Sequence, residues 1–314
     1  MSVSSVRATL ERHGLYLRKD LGQNFLVDDD MAERLAELAG VAEGDRILEV
    51  GTGLGVLTRA LAARAARVIS VEIDSGLVRA LESEGALPDH VSLVHADALK
   101  LDLGGLLDQL AEGAVGAEGR AGPAGHEGQE GEEGRAAAPR AGALRVVANL
   151  PYSAATPLLR RLLDLRGRLA DWSVMLQSEV ARRLSAEVGS RDYGSFAVLH
   201  QLCVDVDCCK HLGPSCFFPA PRVDSDFLRI TPRLDSPLAR DEGVDELRRV
   251  ERVVRAAFAQ RRKTVSNALR GGGFGGGDRA VLVAALEGAQ IDPGARAETI
   301  EPERWLELSR LLEI

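Results

Sequence analysis

No stretch of the sequence approaches the roughly 18 consecutive apolar residues that a membrane span requires, so no transmembrane segment is expected. Cysteine is scarce and crowded. Its four copies, Cys203, Cys208, Cys209 and Cys216, fall in one short stretch without a paired C-x-x-C spacing, and His211 nearby does not complete one. A zinc site is therefore not expected, a disulfide-stapled miniprotein is excluded, and reduced, mostly buried thiols remain. Arg7, Arg12, Arg18 and Lys19 precede no apolar core of the secretory type, and a cytoplasmic protein is the expectation. Positive charge is not in surplus either. Lys plus Arg total 39 against 47 Asp plus Glu, a net charge of -8, so global charge cannot coat nucleic acid and any RNA contact needs a local basic patch.

With 314 residues the chain exceeds what one core usually organises, and two domains are expected. Residues 46–50 (RILEV) and 68–74 (VISVEID) are β-branched apolar runs, with Leu57 and Leu61 at helical spacing between them, a βαβ unit and hence a parallel sheet. Further strands are expected at 91–95, 145–148, 172–176, 196–206 and 226–231, with helices at 154–166 and 178–187. This rhythm predicts an α/β domain over 1–232. Residues 111–143, rich in Gly, Ala and Glu, show no apolar period and read as a disordered insertion. Helices over 244–270, 278–289 and 302–313 predict a small all-helical domain at 233–314.

The segment Glu49-Val50-Gly51-Thr52-Gly53-Leu54-Gly55 stands where a buried strand becomes a helix, and glycines there let a ligand approach the backbone. The third glycine comes one place too early for a G-x-G-x-x-G dinucleotide loop. Glu72, 21 residues after Gly51, has the spacing of a carboxylate that accepts both ribose hydroxyls, and Asp97 follows the next strand, where it could accept an adenine amine. A turn, a diol acceptor and an amine acceptor describe an adenosine without a pyrophosphate, which favours S-adenosylmethionine. After the next strand comes Asn149-Leu150-Pro151-Tyr152. The side-chain oxygen of Asn149 and a backbone carbonyl in Leu150-Pro151 are two acceptors for an exocyclic amine, Pro151 makes the turn rigid, and Tyr152 can stack on a base. No Ser/His/Asp or metal constellation accompanies them, and transfer from an activated sulfonium needs positioning more than a strong base.

These residues resemble the small-subunit ribosomal RNA adenine dimethyltransferases of the KsgA/RsmA group, with the macrolide-resistance ribosomal RNA methyltransferases as close relatives. The similarity runs from about Leu17 to Leu269. Its marks are GQNFL at 22–26, LEVGTGLGVLT at 48–58, Glu72, Asp97, NLPY at 149–152, FFPAPRVDS at 217–225 and FAQRRKTVSNAL at 258–269. The resemblance implies an S-adenosylmethionine-dependent, Rossmann-like domain that dimethylates N6 of two adjacent adenines in the loop of the 3′-terminal hairpin of small-subunit RNA; a monomer acting on small-subunit RNA or on a 30S-type assembly intermediate is the expectation. It implies that Asn24 and Leu26 close over the methionine end of the cofactor, Gly51 and Gly53 form its floor, and Glu72 and Asp97 hold ribose and adenine. Asn149 would serve both cofactor and target amine, with Tyr152 and Phe217 sandwiching the base. Two adjacent phenylalanines leave the facing one open between Phe217 and Phe218, and family spacing favours Phe217.

Residues 248–270 carry eight basic side chains, among them Arg248, Arg252, Arg255, Arg261, Arg262 and Lys263, against Glu251 alone, a net +7 over 23 residues. That is the local field phosphate docking needs. Arg182, Arg183 and Arg191 offer a second patch. Large-subunit RNA methylation, a non-catalytic assembly factor and DNA adenine methylation stay open as rivals. The last is disfavoured because NLPY departs from the D-P-P-Y type.

Overall fold

The computed structural model describes residues 2–18, 21–112, 142–238, 243–276 and 278–312, apart from the side chains of Tyr152 and Ser153. Its strands are β1 (Phe25–Leu26), β2 (Arg46–Val50), β3 (Arg67–Glu72), β4 (Val91–His95), β5 (Leu144–Asn149), β6 (Asp171–Gln177), β7 (Val204–Leu212), β8 (Phe217–Phe218) and β9 (Ser225–Pro232). Its helices are α1 (Val3–Arg12), α2 (Asp29–Leu38), α3 (Val56–Ala62), α4 (Ser75–Ser83), α5 (Leu103–Glu112), α6 (Tyr152–Asp164), α7 (Ser178–Leu184), α8 (Ser195–Gln201), α9 (Gly243–Phe258), α10 (Val265–Gly271), α11 (Arg279–Gly288) and α12 (Pro302–Leu311).

The chain divides into two compact units. One comprises 1–155, 169–175 and 212–222, the other 156–168, 176–211 and 223–314. In the first, five parallel strands run in the order β4-β3-β2-β5-β6. Ile47 through Val50 are buried in succession because helices cover both faces of a parallel sheet, so the central strand shows no alternation. At the base of β5, Arg145 is buried between Asp45, at 2.8 Å, and Asp171, to which its other guanidinium nitrogen donates. Because the strands are parallel and in register, Val50 opposite Val71 and Ala148, and Glu72 opposite His95, their carboxyl ends share one edge. There β2, β3, β4 and β5 deliver Gly51, Glu72, Asp97 and Asn149. A pair of short strands, β1 and β8, runs antiparallel in the same unit, with Leu26 opposite Phe217 and Phe25 opposite Phe218.

In the second unit β9 and β7 are neighbours and α8 to α12 are packed around buried Trp305, Leu247, Val250 and Leu286. Two sequence readings need correction here. Ser195–Gln201, expected as the start of a strand at 196, is helix α8; its apolar run FAVL is buried as a helix, and such a short run carries no period that separates the two states. The expected single helix over 244–270 is two, α9 and α10, because Thr264 turns into extended backbone and the Val265 amide donates to the Ala295 carbonyl at 2.8 Å. The cysteines are also less buried than expected. Cys203 alone of the four is buried and Cys208 is exposed, since β7 is an edge strand exposed along most of its length. The expected insertion lies, apart from 111–112 and 142–143, outside the described residues. No helix among the described residues is long and apolar enough to cross a membrane.

Candidate active site

The glycine loop is built by three left-handed backbones, at Gly51 (φ 89°), Gly53 (57°) and Gly55 (73°), the last opening α3. A Cβ on Gly51 would lie 3.0 Å from the Asn149 carbonyl oxygen, and one on Gly53 would lie 3.1 Å from the Phe25 ring. Glycine is therefore required there for space as well as for conformation. The loop is locked to the end of β3. The Gly53 amide donates to Glu72 Oε2 at 2.8 Å and the Asp74 amide to Oε1 at 2.9 Å. Burial raises the Glu72 carboxyl above its ordinary range, and those two amides oppose the shift. Asp74 in turn caps α4 through the Gly76 and Leu77 amides and accepts the Gln23 side-chain amide at 2.8 Å. The loop before β1 is thus tied to the acids after β3.

Sequence reasoning missed Glu49. It is fully buried beneath the loop, its Oε2 accepting from Ser70 Oγ at 2.6 Å, and the Ser70 and Thr52 hydroxyls share a bond of 2.6 Å. Burial pushes its carboxyl up to about 7. The motif contained this residue, but nothing in the spacing distinguishes a buried acid from an exposed one. Asp97 sits after β4 as expected, half-buried. Its Oδ1 accepts the Leu99 amide at 3.0 Å and its Oδ2 lies 3.4 Å from Lys100.

At the end of β5, Asn149 donates through Nδ2 to the Asn24 carbonyl at 3.2 Å, while Asn24 donates to the Gly22 carbonyl at 3.0 Å. The structure brings together two residues 125 positions apart. Donating through Nδ2 leaves the Asn149 side-chain oxygen as an acceptor. The Pro151 carbonyl is taken by the Ala154 and Ala155 amides at the start of α6, and the Leu150 amide donates to Met175. The Tyr152 side chain lies outside the described residues. Phe217 is buried beside Leu26, whereas Phe218 packs against the cluster of Val6, Leu10, Phe25, Val27, Leu54 and Leu77 under α1, with Arg7 over its ring at 5.1 Å. Strand alternation sends the two rings to opposite sides. Phe218 is half-buried against that cluster, and Phe217, the more buried of the two, lies opposite Leu26.

The predicted basic residues lie in the second unit. Arg248, Arg252 and Arg255 recur at i, i+4 and i+7 of α9 and are exposed on one face; Arg261, Arg262 and Lys263 are exposed in the turn before α10. Part of that charge is compensated. Arg248 pairs with Asp245 at 3.1 Å and Arg255 with Glu251 at 2.8 Å. Arg252, Arg262 and Lys263 have no carboxylate partner among the described residues.

The residues at the sheet edge fit an adenosine bearing a sulfonium better than a dinucleotide. The loop floor is cleared of side chains, and Glu72, Asp74 and Asp97 line the ends of β3 and β4, where a pyrophosphate would be repelled and a cation favoured. Comparison with known proteins agrees. A family model described as ribosomal RNA adenine dimethylase matches residues 14–313. The ribosomal RNA small subunit methyltransferase A of Moorella thermoacetica is 41% identical over 306 residues, covering 98% of this chain and 96% of that protein. Its namesake in Shouchella clausii is 38% identical over 305 residues, covering 97% and 93%. A dimethyladenosine transferase from Plasmodium falciparum shares the fold with a TM-score of 0.67 at 20% identity, covering 90% of this chain and 95% of that one. The 23S rRNA methyltransferase ErmE matches with a TM-score of 0.58 at 25% identity, covering 92% and 99%.

Proposed function

Because this chain belongs to the ribosomal RNA adenine dimethylase family, we infer that it dimethylates N6 of adenine in small-subunit ribosomal RNA, with S-adenosylmethionine as methyl donor. The target implied by the sequence resemblance is the pair of adjacent adenines in the loop of the 3′-terminal hairpin, reached in an assembling small subunit in the cytoplasm. The observation that carries this reading is the convergence of Asn24, Gly51 and Asn149 at the carboxyl edge of the sheet, with Leu26 of β1, just after Asn24, paired with Phe217 of β8.

Bound S-adenosylmethionine supplies a methyl group already activated by its sulfonium. This chain's residues then have to position and exclude. Gly51 and Gly53 form the floor, the Glu72 carboxylate takes the ribose hydroxyls with its remaining lone pairs, and Asp97 accepts the adenine amine. Asn24 and Leu26 close over the methionine end. The lone pair of the target amine is delocalised into its ring, so acceptors that hold both N–H groups out of plane favour the pyramidal nitrogen that attacks. The Asn149 side-chain oxygen is one acceptor; with the Pro151 carbonyl committed to α6, the Leu150 carbonyl is the other. Tyr152 and Phe217 hold the everted base by stacking, worth about 1–3 kcal/mol per base. A base must leave its stack to reach such a site, so a loop rather than a duplex is the substrate. The helical part at 233–314 contacts RNA, through Arg248, Arg252 and Arg255 on α9 and through Arg261, Arg262 and Lys263.

A labelled-methyl assay on unmodified small subunits, with the methylated adenines mapped, tests this. Two methyls on each of two adjacent small-subunit adenines are expected. Cofactor binding without transfer would leave an RNA-binding assembly factor, and modification of large-subunit RNA or duplex DNA would replace the substrate.

A further inference from the structure

Glu49 is fully buried beneath the glycine loop, and the chemistry inferred above gives it no role. On β2 it stands opposite Ser70 of β3 and Val147 of β5, shortly before Gly51. Its Oε2 accepts from Ser70 Oγ, which is bonded in turn to the hydroxyl of Thr52, the loop residue between Gly51 and Gly53. A chain of three side chains thus joins the carboxyl to the floor of the site. The other oxygen, Oε1, is sealed from water with no hydrogen-bond partner among the described residues, and Thr58 of α3 stands beside the same carboxyl without closing a bond to it.

A buried carboxylate with one oxygen unbonded is costly to ionise. The charged groups around it act in both directions. Glu72, at the end of β3, disfavours a second negative charge, whereas Arg59 of α3, whose Nη1 donates to the Leu54 carbonyl at 3.3 Å, favours it; Val147 on the β5 side is apolar. Burial outweighs the rest and raises the carboxyl to about 7, against the bond from Ser70. Glu49 therefore exchanges its proton in the neutral range, where a change of charge at the loop shifts it.

Methyl transfer is such a change. The donor carries a positive sulfonium; when the methyl group leaves, the bonding electron pair returns to sulfur and the remaining thioether is neutral. Donor and product otherwise share the same adenosine and amino-acid parts. A cation over the loop favours the ionised carboxyl, and by reciprocity the ionised carboxyl favours the cation.

We propose that Glu49 is a proton-linked charge under the glycine loop that sets the preference of the site for the sulfonium donor over its thioether product. Protonated, it treats the two alike; ionised, it holds the donor more tightly and lets the spent product go. It acts through the field across the loop and touches neither ligand. The inference rests on the S-adenosylmethionine reading of the sheet edge and adds to it a dependence on pH.

Calorimetric titration of the full chain with S-adenosylmethionine and with S-adenosylhomocysteine tests this. From about pH 6 to about pH 8.5, the ratio of product Kd to donor Kd should rise roughly tenfold more in wild type than in Glu49→Gln, the order of one unit-charge interaction at an effective dielectric of about 20. The Glu49→Gln profile reports the ligands' own amino groups and the remaining acids. Ser70→Ala removes a bond that holds the carboxyl down, so its rise should move to higher pH. His95, the imidazole at this edge, donates to the Ile73 carbonyl at 3.2 Å, and His95→Gln should keep the wild-type profile. Coincident profiles for wild type and Glu49→Gln would overturn the proposal. So would a midpoint unmoved by Ser70→Ala, which needs no folded Glu49 variant, or a rise that vanishes in His95→Gln. Failure of wild type to bind either ligand would instead overturn the cofactor site inferred above.

Discussion

The side chain of Asn149 donates to the backbone carbonyl of Asn24 at 3.2 Å, joining the end of the fourth parallel strand in the sheet to the segment before the first short strand. This bond fixes which end of the amide points onward as an acceptor. Asn149→Ala should therefore lose two things together, the acceptor for the target amine and the anchor of the Asn24 segment. Turnover is expected to fall by about 100- to 1,000-fold, the scale for removal of one oriented polar group, with the melting temperature nearly retained. Unchanged methyl transfer would show that the amide plays no part in activating the amine.

Glu72 offers a second test. Both its oxygens already accept backbone amides, so Glu72→Ala should weaken S-adenosylmethionine binding by about 1.5–3 kcal/mol, the range for a hydrogen bond to a charged group, and loosen the Gly53 turn as well. Isothermal calorimetry reads the first effect. Wild-type affinity in the variant would remove the ribose role.

Stability against pH should carry two opposed contributions. The folded-state pKa of Glu49 is raised to about 7 from 4.5, so its contribution is full below about pH 4.5 and is lost as pH rises through 7. The folded-state pKa of His200, buried and neutral, is lowered to about 4 from 6.5, so its contribution is present above 6.5 and lost as pH falls through 4. Between pH 4.5 and 6.5 the two offset each other. Glu49→Gln should remove the first alone, stabilising the protein above pH 7 by on the order of 3 kcal/mol and leaving a steeper decline on acidification. Thermal melts from pH 4.5 to 8 that run parallel for variant and wild type would refute the assignment.

Arg145 bridges Asp45 and Asp171 out of contact with water. Removing one partner of a buried ion pair strands the other charges, so Arg145→Met should cost about 3–5 kcal/mol in urea unfolding. A triple variant that also carries Asp45→Asn and Asp171→Asn should recover part of that loss. A loss below 1 kcal/mol in the single variant would mean that the carboxylates find other partners.

The alternation of strands and helices, the glycine loop and the spacing from Gly51 to Glu72 were legible in the chain because each is a local pattern whose physics needs few neighbours. A buried parallel strand must be apolar throughout, and a turn with positive φ must be glycine. The caps that open α2 and α4, Asp28 and Asp74, were equally local signals and could have placed both helices. What the chain could not state depends on residues far apart in it. Which of Phe217 and Phe218 lies opposite Leu26 depends on β1 pairing with β8 across 191 positions, since a register of one residue exchanges the two rings. The elevated carboxyl of Glu49 exists because the sheet buries it, against the opposing hydrogen bond from Ser70. Sequence supplies such side chains; long-range packing alone determines which of them share a dielectric, a hydrogen bond or a concavity.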